Sequence, residues 1–132
     1  MSQKSLIAIV DDDRSFLDSM RRLLKSLGYD IAAFPSAAHF LASSRLASTD
    51  CLVTDVQMPL MTGVELYEHL LSTGQPIPTI LVTGYPNAHT EERMRSLGVE
   101  CYLRKPLDEA VLIGCLRSAC ARGAHSDRVD LD

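Results

Sequence analysis

The chain has 132 residues, of which 46% are hydrophobic and 23% charged, and its formal net charge is −4 at pH 7. That length suits one domain with its own core and is too short for two ordinary ones. The acidic balance lacks the basic stripe of a nucleic-acid-binding domain, and no apolar run approaches bilayer length, so neither direct nucleic-acid binding nor a membrane span is expected.

Residues 1–5, MSQKS, are polar, and the apolar run behind them is too short for a signal-peptide core, which gives a cytoplasmic reading. That run, Leu6–Val10, is continuous, as in a strand buried on both faces. It ends in Asp11, Asp12 and Asp13. Crowded carboxylates repel and raise the cost of keeping each one ionised. Either they lie in water and cap a helix, or a positive group sits between them. Asp13 reads as the N-cap of the next segment. Arg14–Leu27 places Phe16, Leu17, Met20, Leu23, Leu24 and Leu27 on one stripe of an amphipathic helix.

Ile31–Phe34 predicts a second strand, and Ser36 caps a helix through AAHFLASSRLAS. Cys51–Thr54 predicts a third strand, ending at Asp55, and Leu66, Leu70 and Leu71 mark a third helix. Thr79–Thr83 is the fourth strand and Asn87–Leu97 the fourth helix, which is polar enough that its packing is expected to be loose. Cys101–Leu103 is the fifth strand, followed by Lys105-Pro106 and a helix over Leu107–Ala121. Gly28, Gly74 and Gly98 follow helical stretches, where a left-handed residue closes the helix. From Arg122 the chain reads as a flexible polar tail, so the domain is expected over residues 1–121 and the tail over 122–132. Cys51, Cys101, Cys115 and Cys120 show neither a CxxC pair nor zinc-like spacing and read as buried or partly buried thiols. The histidines are scattered and read as surface residues.

Alternating strands and helices imply right-handed βαβ units and a parallel sheet covered on both faces. Function in such sheets gathers at the carboxyl ends of the strands, at a topological switch point. Those ends carry Asp11-Asp12-Asp13, Asp55, Thr83 and Lys105. They converge if strands one and three are neighbours. Clustered carboxylates suit a hard divalent cation, Mg²⁺ above all, with Mn²⁺ as a substitute. A carboxylate beside such an ion can attack phosphorus and form an aspartyl phosphate, while the ion, a lysine and a hydroxyl share the charge of the transferring group.

Four motifs, IVDDD, VTDVQMPLMTGVEL, PTILVTG and YLRKPL, resemble in order and spacing the receiver domains of two-component response regulators, over about Leu6–Ala121. The second is most similar to receivers that precede a C-terminal helix-turn-helix domain. The resemblance implies a flavodoxin-like α/β fold with five parallel strands in the order 2-1-3-4-5 and five helices on both faces. It implies Asp55 as phosphoryl acceptor from a sensor histidine kinase. Asp11, Asp12, Asp55 and the Gln57 backbone carbonyl would hold Mg²⁺, and Lys105 would pair with the phosphoryl group. Thr83 and Tyr102 would form the switch, with Tyr102 turning inward on activation. Gln57 and Tyr85 would tune the phosphoryl lifetime, and Gly84 would leave the acceptor open. Pro106 would follow a peptide bond that is often cis in this family, and Met58, Pro59 and Gly63 would shape the loop after Asp55. The output would be a face made of the fourth helix, fifth strand and fifth helix, used for homodimerisation or for a partner in transcription regulation.

The resemblance implies a regulatory domain rather than an enzyme. A haloacid-dehalogenase-type phosphatase would need a second Asp where Gln57 stands. A flavodoxin would need a phosphate-binding loop where the three acids stand. The remaining rival is an interaction module of the same fold that works without phosphorylation. The chain fits either a stand-alone receiver or the first domain of a longer protein.

Overall fold

The computed structural model describes residues 4–131, with side-chain surroundings given through Arg122. Five strands, β1 (Leu6–Val10), β2 (Asp30–Phe34), β3 (Cys51–Asp55), β4 (Thr79–Thr83) and β5 (Cys101–Arg104), alternate with five helices: α1 (Arg14–Ser26), α2 (Ala37–Leu41), α3 (Gly63–Ser72), α4 (Ala88–Leu97) and α5 (Glu109–Leu131). All strand pairs are parallel, in the order β2-β1-β3-β4-β5. The order reverses between β1 and β3, which places Val10 beside Thr54 and brings both acidic strand ends together.

Both faces of the sheet are covered. Ile7, Ile9, Val53, Ile80 and Val82 pack against Leu17, Met20 and Leu24 of α1 and Leu112, Leu116 and Ala119 of α5. On the other face, Ala8, Val10 and Leu52 meet Phe40 of α2 and Leu66 and Leu70 of α3. Val64 and Tyr67 of α3, Leu81, Tyr102 and Met94 of α4 form a third cluster. Burial on both sides is why β1 and the middle of β4 read as continuous apolar runs, while buried β3 ends in Thr54 and Asp55.

Strand and helix starts follow the expectations to within a residue or two. Asp13, Ser36 and Asn87 each accept a backbone N–H at a helix start, and Gly28, Gly74 and Gly98 all have positive φ. The helix expected through Ser48 stops at Leu41, however, and resumes only as a 3-10 turn at Leu46–Ser48. The Ser43 hydroxyl accepts from Arg45 N at 2.9 Å. This local bond competes with the helical ladder. At the other end, α5 runs to Leu131, past the expected end at Ala121. The flexible tail was expected over residues 122–132; of these, the side chains of 123–132 lie outside the described ones. The three described histidines, His39, His69 and His89, are exposed as expected.

The cysteines need a correction. Cys101 and Cys115, expected as thiols, form a disulfide, with Cα atoms 6.4 Å apart. Packing of α5 against β5 creates this approach, and it lies within the range a disulfide spans. A 14-residue spacing says nothing of it. Cys51 and Cys120 are free and buried.

Candidate functional site

The site lies where β1, β3, β4 and β5 end. Asp11 is fully buried and Asp55 is 7% exposed, whereas Asp12 and Asp13 face solvent. Asp11 cannot move freely. Its Oδ1 accepts from Asp13 N at 2.8 Å, and its Oδ2 accepts from Lys105 Nζ at 2.9 Å. Asp13 turns the chain into α1, accepting from Ser15 N and Phe16 N. The three acids therefore divide: Asp11 is anchored by the lysine, Asp12 is open, and Asp13 caps.

Asp11, Asp12 and Asp55 each offer a carboxylate oxygen, all within 4.8 Å of one another. A mutually repelling set of hard oxygens, partly open to solvent, fits Mg²⁺ or Mn²⁺. The electrostatics agree with that fit. Burial, and then the Asp11 charge, raise the Asp55 carboxyl to about 6, while Lys105 pulls the other way. Lys105 Nζ is 3.7 Å from Asp55 Oδ1. Burial acts to lower the Lys105 pKa, but the hydrogen bond and charge of Asp11 and the charge of Asp55 outweigh it, so the net shift is upward. The ammonium also stands over the Phe16 ring, 4.2 Å from its centre, a favourable cation–π position.

The loop after Asp55 holds that residue close to α3. A Cβ on Gly63 would collide with the Asp55 carbonyl oxygen, so only glycine lets the start of α3 approach. Gly63 N donates to Val56 O, and Thr62 with Glu65 completes a reciprocal cap. Met58 is buried, and Leu60 is fully exposed with φ +71°. The Lys105–Pro106 peptide is cis.

The other expected residues fall around this crevice. Thr83 is buried, and its hydroxyl donates to Gln57 Oε1 at 2.8 Å while accepting from Tyr85 N at 2.9 Å. The Tyr85 ring is exposed, and a Cβ on Gly84 would meet nothing within 4 Å. Tyr102 is already inside, 7% exposed, with its hydroxyl accepting from Asn87 N at 3.3 Å.

Two contacts had no signature in the sequence. Phe16 read as one more member of an apolar stripe, yet it supports the lysine. Gln57 stands two residues after Asp55 in the sequence, yet it holds the Thr83 hydroxyl, 26 residues away. The first contact needs α1 set beside the end of β5, and the second needs the ends of β3 and β4 side by side.

Comparison with known proteins agrees with this geometry. The family model of the response regulator receiver domain matches residues 7–117. The transcriptional regulatory protein FixJ of Azorhizobium caulinodans is 32% identical over 128 residues, covering 97% of this chain and 61% of its own. The response regulator protein TmoT of Ectopseudomonas mendocina is 33% identical over 117 residues, covering 89% of this chain and 53% of its own. The chain thus spans between half and two thirds of these relatives. The solved response regulator StyR superposes with a TM-score of 0.89 at 30% identity, over 97% of this chain and 65% of that one.

Proposed function

The chain belongs to the response regulator receiver domain family, and from that premise we propose that it is a phosphoacceptor switch whose acceptor is Asp55. The observation that carries the reading is the convergence of Asp11, Asp12 and Asp55 with Lys105 at the carboxyl ends of β1, β3 and β5. A carboxylate oxygen of Asp55 attacks phosphorus, and the bond from phosphorus to the phosphohistidine nitrogen of a sensor kinase breaks. Asp11, Asp12, Asp55 and the Gln57 carbonyl are the residues to hold Mg²⁺. When bound, the ion offsets charge on the transferring group. Lys105, held between Asp11 and Asp55, neutralises the phosphoryl oxygens that arrive beside it.

The same reading makes Thr83 the first element to respond. A phosphoryl group adds charge and strong acceptor oxygens. The Thr83 hydroxyl leaves Gln57 and donates to one of them. Tyr102, buried under α4 and bonded to Asn87, is already in the inward position, consistent with a pre-existing equilibrium that phosphorylation shifts. The face of α4, β5 and α5 then serves self-association or an output partner. Gln57 and Tyr85 set access of water to the phosphoryl group. No described helix is long and apolar enough to cross a membrane, which suits a cytoplasmic partner of a sensor kinase.

The test is labelling with radioactive acetyl phosphate. Wild type should label only with Mg²⁺ or Mn²⁺ present, and Asp55→Asn should not label. Equal labelling of both would remove Asp55 from the role. No labelling of either, where other receivers label, would leave the phosphorylation-independent module.

A further inference from the structure

All four cysteines belong to one construction. Cys115 and Cys120 lie on the buried side of α5, and each meets a cysteine of the sheet beneath. Cys115 is bonded to Cys101 of β5, and Cys120 lies in the same buried cluster as Cys51 of β3. The two pairs differ in access. Cys51 is fully buried and Cys120 nearly so, whereas Cys101 is half-buried at the start of β5.

We infer that Cys101 and Cys115 form a reversible thiol-oxidation site that ties α5 to β5 and gives the α4-β5-α5 face a second input. Three observations support this. First, α5 does not depend on the bond for its place, because Leu112, Leu116 and Ala119 pack on the sheet and Glu100 bonds Ser118 and Arg122. The reduced chain therefore keeps its fold, as a reversible device requires. Second, Cys101 immediately precedes Tyr102, and successive strand residues face opposite sides of the sheet. The bond thus fixes β5 to α5 next to the residue that packs under α4. Third, the closed segment from Cys101 to Cys115 contains Lys105, so oxidation restrains the strand end that brings the lysine to Asp11 and Asp55.

The oxidant is a low-molecular-weight disulfide such as oxidised glutathione. The Cys101 thiolate attacks its sulfur, releasing one small thiol and leaving a mixed disulfide. The Cys115 thiolate then attacks the Cys101 sulfur, forming the Cys101–Cys115 bond and releasing the second small thiol. Two electrons pass to the small disulfide, and the two protein thiol protons end on its two released halves. Reduced glutathione reverses both steps.

The regulatory part of this inference rests on the proposed switch, but its chemistry is read without any phosphoryl group. The 132-residue chain is equilibrated across ratios of reduced to oxidised glutathione, quenched with acid, alkylated and weighed, and the linked peptides are mapped. One two-electron transition is expected, joining Cys101 to Cys115 and leaving Cys51 and Cys120 free to alkylate after denaturation. The oxidised form should melt higher by roughly 10 °C, the size expected for closing a loop of this length. Beryllofluoride, a phosphoryl mimic, should alter amide exchange in β5 and α5 about fivefold less in the oxidised form, the lower end of typical coupling between sites. Cys101→Ala/Cys115→Ala should behave as the reduced chain at every ratio.

The inference is overturned by a bond that never forms, by one that survives millimolar reduced glutathione in the native chain, by a Cys51–Cys120 link in its place, or by beryllofluoride responses that are present and of equal size in both forms. Normal labelling of Asp55 without a cycling bond removes this inference alone. A cycling bond without labelling removes the phosphoacceptor reading and leaves the oxidation site.

Discussion

Helices α1 and α4 flank the same crevice and are fastened to the sheet in opposite ways. Helix α1 buries Leu17, Met20 and Leu24 and sets Phe16 beneath Lys105. Helix α4 buries Met94 alone. The rest of its attachment is polar: the Asn87 cap, the Asn87 N–H to Tyr102 and the exposed Arg93–Glu68 pair. Apolar burial contributes more than exposed ion pairs, so one wall of the crevice is scaffold and the other is free to move. The polar sequence of α4, expected to pack loosely, matches its single buried residue.

The comparison can be strained first on the scaffold side. Leu24→Ala should lower the unfolding free energy in urea by about 3 kcal/mol, through lost burial and the cavity left behind. A loss under about 1 kcal/mol would mean that α1 is no better anchored than α4.

The site between the two walls comes next. Native Asp55 holds its proton to about pH 6, whereas an unfolded aspartate releases it near 4. Over that window the native state binds more protons, so this group makes stability fall as pH rises. In EDTA, Asp55→Asn should therefore exceed wild type by about 2 kcal/mol above pH 6, after allowance for solvent screening, with the gain vanishing below pH 4. A constant difference across pH would place the cause elsewhere. Millimolar Mg²⁺ should raise the wild-type melting temperature and raise that of Asp55→Asn less.

Smaller effects belong to the mobile wall. Tyr102→Phe removes only the acceptor for Asn87 N, so about 1 kcal/mol is expected. Amide exchange should quicken in the first turn of α4 and not in α1, and equal acceleration in both would erase the distinction between them. Arg93→Ala should cost about 0.5 kcal/mol or less, because the pair with Glu68 is solvent-exposed.

Much of the site was legible because it is built on strand ends. A buried parallel strand announces itself as an apolar run, and the residues just past it land at the crevice whatever the loops do. Asp11, Asp12, Asp55, Thr83 and Lys105 were located on that logic. The helix after Ser36 stops short of its periodic pattern because the Ser43 hydroxyl captures a backbone N–H locally, a competition that periodicity does not register. The bridged cysteines leave no mark in the sequence because apolar packing of α5, not sequence spacing, sets their separation.

By itself, the sequence determined the alternation of strands and helices, the helix caps, and which side chains stand at the carboxyl ends of the strands. These follow from local backbone preference and the burial pattern of one segment at a time. Only the tertiary structure decided that Lys105 lies between two carboxylates and over Phe16, that Gln57 holds Thr83, that Tyr102 sits inside against Asn87, and that Cys101 meets Cys115. Each of these depends on where separate segments stand in the packed sheet. That placement is set by the summed burial of both faces rather than by any residue's neighbours in the chain.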